Sequence, residues 1–345
     1  MTYVPIFASS EIACGDLWDD FGGRGMICVM FATRNGAAVL PRTLAALARV
    51  RPPDGGWSIL AVDNGSSDGS VDLLRSYQDR LPLTVMDEPT AGKNRALNRA
   101  LEVAAGDLFV FCDDDIEPAE DWLVRWREAA DAHPDFDLFA GATRPAWPQG
   151  VAASGLDDQQ TSIVFGVNEH MREGPCDAAC MLGTNMAIRP RAFADGVRFD
   201  PGIGPSAARM YPMGSETELA RRLAARGLRC WFAPGPSVGH IIRPAQLARR
   251  SILLRGYRWG RGQAHMGVEH HYAPALLSRK NRLRAALYPV ALPFLSPGEA
   301  WARQWEWVAD QGYEDGWRER RGLPPVWLGH GEAPRIVRRF RAETA

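Results

Sequence analysis

A chain of 345 residues, 46% hydrophobic and 23% charged, can bury a sizeable core and has the balance of a folded globular protein, not a disordered one. Forty basic residues against forty-one acidic ones leave a net charge of −1, which speaks against a general nucleic-acid binder. Six scattered cysteines, with only Cys176 and Cys180 close together, complete neither a disulfide framework nor a zinc site and point to free thiols in a reducing cytoplasm.

The first 24 residues show no period and no basic-then-apolar leader, so they read as an extension and not as a signal peptide. "MICVMFA" (26–32) reads as a strand that ends in loop chemistry at Thr33, Arg34, Asn35 and Gly36. Leu40, Leu44 and Leu47 follow at helical spacing. "SILAVDNGSSDGS" (58–70) repeats the plan, with Ser67 or Asp68 as a candidate cap for a helix carrying Val71, Leu74 and Tyr77. A third strand spans 83–88, a helix closed by Gly106 spans 93–105, and a fourth strand spans 107–113.

Strands alternating with helices predict a parallel α/β sheet, whose ligands bind beyond the carboxyl ends of the strands. Asp63 stands at such an end, and so does the triplet Asp113, Asp114 and Asp115 in "FVFCDDDIEP". They should share one rim.

Further on, 181–193 reads as a strand running into a short helix, and 215–234 as a helix stopped by Gly227 and then a strand. The alternation ends near residue 245, which predicts an extension (1–24), a catalytic α/β domain (25–245) and a helical region rich in arginine and tryptophan (246–345). That last region, from Arg249, Arg250 and Arg255 to Arg335, Arg338, Arg339 and Arg341, has three readings. It is an arm packed on the catalytic domain, a peripheral contact with the anionic inner face of the plasma membrane, or a homodimer contact. Its longest apolar run, 285–295, is shorter than the roughly 20 residues of a spanning helix.

Adjacent carboxylates repel one another. A hard divalent cation, Mn²⁺ or Mg²⁺, sharing its shell with a diphosphate would relieve that repulsion, whereas Asp114 and Asp115 as helix caps would bind nothing.

The segments "VMFATRNGAAVLPRTLAAL", "LAVDNGSSDGS", "AGKNRAL" and "FVFCDDDIEPAEDWL", in that order, resemble the nucleotide-sugar-binding half of the family 2 glycosyltransferases. "GTNMAIRPRAF", "GSETELARRLAARG" and "VGH" resemble the family's acceptor and catalytic half, so the resemblance covers 25–243. It implies a GT-A fold with a mainly helical C-terminal region, and inverting transfer from a nucleoside-diphosphate sugar to a carbohydrate or lipid-linked acceptor. The setting it implies is surface polysaccharide or glycoconjugate synthesis.

By position, the resemblance implies that Thr33, Asn35, Asp63, Lys93, Arg95 and Asp113 contact the nucleotide. It implies Asp113, Asp115 and His240 for the cation, and Gly183, Thr184 and Asn185 for the donor or acceptor sugar. Asp114 would support the site or point away. Arg95 fits a solvated helix face equally well, His240 a satisfied core histidine, and Asn185 a backbone clamp. Where the family has Gly-Glu-Asp, this chain has Gly214, Ser215 and Glu216, which makes Glu216 the candidate base, one methylene longer than usual. Ser215 and Glu218 also match a capping box.

Two other functions compete. A nucleotidyltransferase would show a glycine-rich basic loop after the first strand, and "FATRNGAAVL" has a single glycine. A catalytically inactive GT-A-like binding module is supported by the glutamate in place of aspartate.

Overall fold

The computed structural model describes residues 25–148, 156–291 and 297–328. The extension 1–24, the end of the apolar run (292–296) and the arginines after residue 328 lie outside the described residues.

In chain order the elements begin with β1 (Ile27–Thr33), α1 (Leu40–Leu47), β2 (Trp57–Asp63), α2 (Ser70–Arg75), β3 (Leu83–Asp87), α3 (Lys93–Leu101) and β4 (Leu108–Cys112). Then come β5 (Ile116–Pro118), α4 (Trp122–Ala132), β6 (Leu138–Ala146), α5 (Asp158–Phe165), β7 (Gly174–Cys176) and β8 (Asn185–Ile188). They continue with α6 (Ser215–Ala225), β9 (Cys230–Ile241), α7 (Pro244–Leu247), α8 (Arg249–His265), α9 (Pro274–Ala291) and α10 (Pro297–Glu319).

The nine-stranded sheet runs β3-β2-β1-β4-β8-β6-β9-β5, with β7 on the edge of β9. The first four strands are parallel, and the apolar runs of β1, β2 and β4 are buried on both faces, as helices on either side require, while β3 at the edge is only partly covered. Ile27, Val29 and Phe31 of β1 pack with α1 and α4 on one face. Cys28 and Met30 pack with α3 and α6 on the other.

The parallel order read from the alternating strands holds for β1 to β4 and ends there. β8 enters antiparallel between β4 and β6, pairing Cys112 with Asn185 and Ala140 with Met186. The sheet is therefore mixed. β6 lacks the continuous apolar run that would mark it, because Gly141, Thr143 and Pro145 interrupt it.

β9 follows β6 over its whole length, with an irregularity after Gly141. The first half of its outer edge carries β7, and the second half carries β5. That second pairing sets Ile116 opposite His240, and Ile241 N donates to the carbonyl of Asp115 at 2.8 Å. Two segments distant in sequence thus meet at the rim.

The C-terminal helices form a third core with α5, in which Val164 and Phe165 meet Ile252, Leu253, Tyr257 and Val308. Trp301, Trp305 and Trp307 are buried there and do not face a membrane. Among the described residues no helix is long and apolar enough to cross one. Among the described residues, Cys112, Cys176, Cys180 and Cys230 are free thiols.

α8 and α10 approach through glycines. A methyl group on Gly312 would stand 2.0 Å from the Tyr257 carbonyl oxygen, and one on Gly260 would stand 1.9 Å from that of Ala309. Helix propensity alone would make Gly312→Ala stabilising by about 1 kcal/mol. The backbone contact reverses the sign, so the variant should lose about 1–3 kcal/mol in urea unfolding. A gain in stability would show that the helices do not pack this closely.

Candidate functional site

The carboxyl ends of β1, β2 and β4 deliver Thr33, Asp63 and Asp113 to one rim. Asp63 is 4% exposed. Its Oδ2 accepts from the backbone of Gly65 (3.2 Å) and Ser66 (3.1 Å), while its Oδ1 is buried without a partner. A buried carboxylate oxygen left unpaired is costly, so this atom is placed to accept a ligand N–H.

Asn35, the only non-glycine with positive φ among the described residues (54°), ties the first loop to the second. Its N–H donates to Ser66 Oγ and its Oδ1 accepts from Ser67 N, both at 2.9 Å. Thr33, expected to line the nucleotide, turns its hydroxyl inward and donates to Asp114 Oδ2 at 2.5 Å. Thr43 Oγ1 also donates to the Asp114 carbonyl at 2.8 Å, so Asp114 braces the loop from behind.

Lys93 opens α3 and is held there by Asn64, a residue that sequence reasoning passed over. Asn64 Nδ2 donates to the carbonyls of Glu88 (2.7 Å) and Thr90 (2.9 Å), and its Oδ1 accepts from Gly92 N (2.6 Å). Its signal was an amide directly after Asp63, in a loop whose backbone needs partners. Lys93 Nζ lies 2.5 Å from Asp113 Oδ1 and 2.6 Å from Glu216 Oε1, bridging the strand-end carboxylate and the candidate base. Burial opposes the ammonium charge, but the two carboxylates prevail and hold its pKa above the usual lysine value.

Glu216 lies in the first turn of α6, after Gly214 (φ 107°). Ser215 Oγ donates to its Oε2 at 2.9 Å. The capping-box reading is not realised, because Ser215 is already inside the helix and Glu218 pairs with Arg222 instead. Burial would push the Glu216 carboxyl up, yet the Lys93 ammonium keeps it below the usual range. A Cβ on Gly183 would stand 2.2 Å from Glu216 Oε1, so that loop passes directly against the pair.

On the other side of the rim, His240 Nε2 faces Asp115 Oδ1 at 3.4 Å. Its Nδ1 donates to the Phe165 carbonyl (2.5 Å), and although burial opposes a charged ring, the Asp115 carboxylate opposite Nε2 prevails and raises the imidazole pKa above its usual value. Burial would raise the Asp115 carboxyl, but His240, and then Arg243 and Arg255, hold it below the usual range. Arg243, 4.0 Å from Asp115 Oδ2, was not singled out by sequence reasoning.

This donor set fits a divalent cation. Among the described residues no three His, Cys, Asp or Glu groups are placed to hold a metal, so Asp115 and His240 would leave most of the shell to phosphate oxygens and water. Asp113, expected in that set, has one oxygen engaged by Lys93 instead.

Thr184 and Asn185, expected near the sugar, both turn their side chains into the protein, Asn185 as the backbone clamp that was its other reading. Asn185 is fully buried. Its Oδ1 accepts from Trp122 Nε1 (2.9 Å), and its Nδ2 donates to the carbonyls of Ala142 (2.9 Å) and Pro236 (2.8 Å). With its hydrogen bonds made inside the protein, it clamps the junction of β6, β8 and β9. Thr184 Oγ1 pairs with Thr143 Oγ1 at 3.0 Å, also buried. Arg95 stays exposed, its stem folded over Gly92.

Burial and the adjacent Asp115 push the Asp114 carboxyl up to about 7, against the Thr33 hydrogen bond. An unfolded aspartate titrates near about 3.9, so between the two values the folded state binds more protons and stability falls as pH rises. Asp114→Asn removes that penalty. In chelator, its unfolding free energy relative to wild type should rise from pH 4 to pH 8, by at most about 4 kcal/mol. A difference independent of pH would refute the shift.

The family model described as Glycosyl transferase family 2 matches residues 28–195. Glycosyltransferase AglE of Haloferax volcanii is 25% identical over 240 residues, 69% of this chain and 72% of that protein. The beta-monoglucosyldiacylglycerol synthase of Trichormus variabilis is 26% identical over 161 residues, 43% of this chain and 34% of its own length. Among solved structures, the mannosyltransferase PcManGT from Pyrobaculum calidifontis, in complex with GDP-Man and Mn²⁺, shares the fold. Its TM-score is 0.58 at 19% identity, covering 84% of this chain and 87% of that one. Residues 28–195 therefore belong to glycosyltransferase family 2, whose members transfer sugar from a nucleotide sugar, and the chain has the GT-A fold.

Proposed function

We propose that this protein is a cation-dependent, inverting hexosyltransferase acting from a nucleoside-diphosphate sugar on a carbohydrate or lipid-linked hydroxyl. The observation that carries this reading is the Lys93 bridge, which joins the strand-end Asp113 to Glu216 at 2.5 and 2.6 Å. It links the donor side of the cleft to a carboxylate able to serve the acceptor.

In this mechanism Asp63 Oδ1 accepts an N–H from the nucleobase, Asn35 shapes the adjoining loop, and Asp113 contacts the ribose. Asp115 and His240 would hold Mn²⁺ or Mg²⁺, which when bound neutralises charge on the leaving diphosphate. The complex of PcManGT with GDP-Man and Mn²⁺ supports this choice of ligands.

Lys93 and Arg243 add positive charge on the diphosphate side. As Lys93 turns toward the diphosphate, Glu216 is released from its ion pair. The acceptor oxygen then bonds to the anomeric carbon from the face opposite the diphosphate. Its proton passes to Glu216, and the bond from carbon to phosphate oxygen breaks with its electron pair leaving on the diphosphate. One displacement inverts the anomeric centre.

One relative is named for making monoglucosyldiacylglycerol, which supports a hexose donor and a lipid-type acceptor, as in surface glycoconjugate synthesis. The free thiols of Cys112, Cys176, Cys180 and Cys230 support a cytoplasmic site of action.

Glu216→Gln should lower transfer by about 100-fold or more in a panel of UDP- and GDP-sugars with Mn²⁺. Donor binding, read by calorimetry, should stay nearly the same. Full activity in that variant would remove Glu216 from the mechanism. Asp63→Ala should weaken nucleoside-diphosphate binding by roughly tenfold or more, as expected for losing a hydrogen bond to a charged group. Unchanged affinity would displace the base from this rim. A wild-type protein that binds donor and Mn²⁺ but neither transfers nor hydrolyses it would be an inactive binding module.

A further inference from the structure

α9 is docked by one side and bare on another. Leu277 and Asn281 face the body, where Asn281 Nδ2 donates to Glu314 Oε2 at 2.9 Å. Lys280 and Arg284 are anchored at Asp310, at 3.8 and 2.8 Å. Leu276, Leu283 and Leu287 remain 53%, 60% and 54% exposed. At 100° per residue these three positions fall within roughly 40° of one another, forming a single stripe. They make up half of the six large hydrophobic side chains exposed among the described residues.

The charge around the stripe has one sign. The helix sequence PALLSRKNRLRAALYPVA has four basic residues and no acidic one. Arg279 and Arg282 are exposed and, among the described residues, have no carboxylate partner, although Arg282 donates to Ser278 Oγ at 3.0 Å. The buried tryptophans of α10 take no part.

We infer that the α9 stripe is a docking surface for an anionic phospholipid bilayer. The leucines enter the acyl boundary, and Arg279 and Arg282, whose long stems reach back to the headgroups, pair with lipid phosphates. A second copy of the chain fits less well. Two such stripes face to face would oppose arginines to arginines with no acidic residue on the helix to compensate. The inference concerns attachment alone and stands apart from the transferase reading.

The full chain is tested by co-sedimentation with phosphatidylglycerol-phosphatidylcholine vesicles and with pure phosphatidylcholine vesicles, in low and high salt. Wild type should pellet with the anionic vesicles in low salt only. Leu283→Gln/Leu287→Gln and Arg279→Gln/Arg282→Gln should each weaken that binding on the order of tenfold. Both pairs lie on the surface, and unchanged donor affinity and melting temperature would show that the fold is intact. Wild type left in the supernatant with anionic vesicles would overturn the proposal, as would pelleting of both variants equal to that of wild type. So would a wild-type dimer that the leucine variant converts to monomer, which would assign the stripe to a second copy.

Discussion

The Lys93 ammonium is the interaction on which the candidate site depends. It lies between Asp113 and Glu216, and these three side chains are each less than a quarter exposed. One positive charge among two carboxylates leaves the cluster short of cations, and the adjacent Asp115 adds to the deficit. Removing the lysine would leave two buried anions facing each other, a change that typically costs about 3–5 kcal/mol for a broken buried pair. The rim is therefore poised for positive charge, and an ion that also carries a diphosphate is suited to supply it.

Sheet order turns this local chemistry into a cleft. Strand β8 brings Gly183 beside Glu216, and its own Asn185 locks three strands together. β5 exists only because β9 offers the outer half of its edge, and that short pairing fixes Asp115 against His240. The carbonyl end of α5 orients the imidazole, and the C-terminal helices in turn hold α5 through Phe165. A region without strands thus acts on the Asp115–His240 side of the site through one backbone carbonyl.

Legibility in the sequence followed physical range. The apolar runs ending in Asp63 and Asp113 announced the four parallel strands, because there the chain alternates locally between buried strand and covering helix. β5, β6 and β8 depend on partners far away in sequence, so neither their direction nor, for β5 and β6, their existence had a local signature. The same split governs the site. Asp63, Asp113 and Asp115 were visible as charges where none should be buried. The side-chain bonds of Thr33 and Asn185 were not, because both residues spend their polar atoms on contacts 81, 63, 43 and 51 residues away.

The glutamate that replaces the family's aspartate becomes intelligible in this setting. Its position is set by three neighbours and not by its own length: Ser215 on Oε2, Lys93 on Oε1, and the bare backbone of Gly183 beneath. Any side chain at 183 would drive Oε1 off Lys93. On the proposed mechanism this arrangement also orders events. A diphosphate carries more negative charge than one carboxylate, so it competes effectively for Lys93, and only then does Glu216 regain the basicity that the ammonium suppresses. Basicity at the acceptor side is thereby made conditional on a donor already in place, which restrains Glu216 from engaging a hydroxyl or water before there is a sugar to transfer.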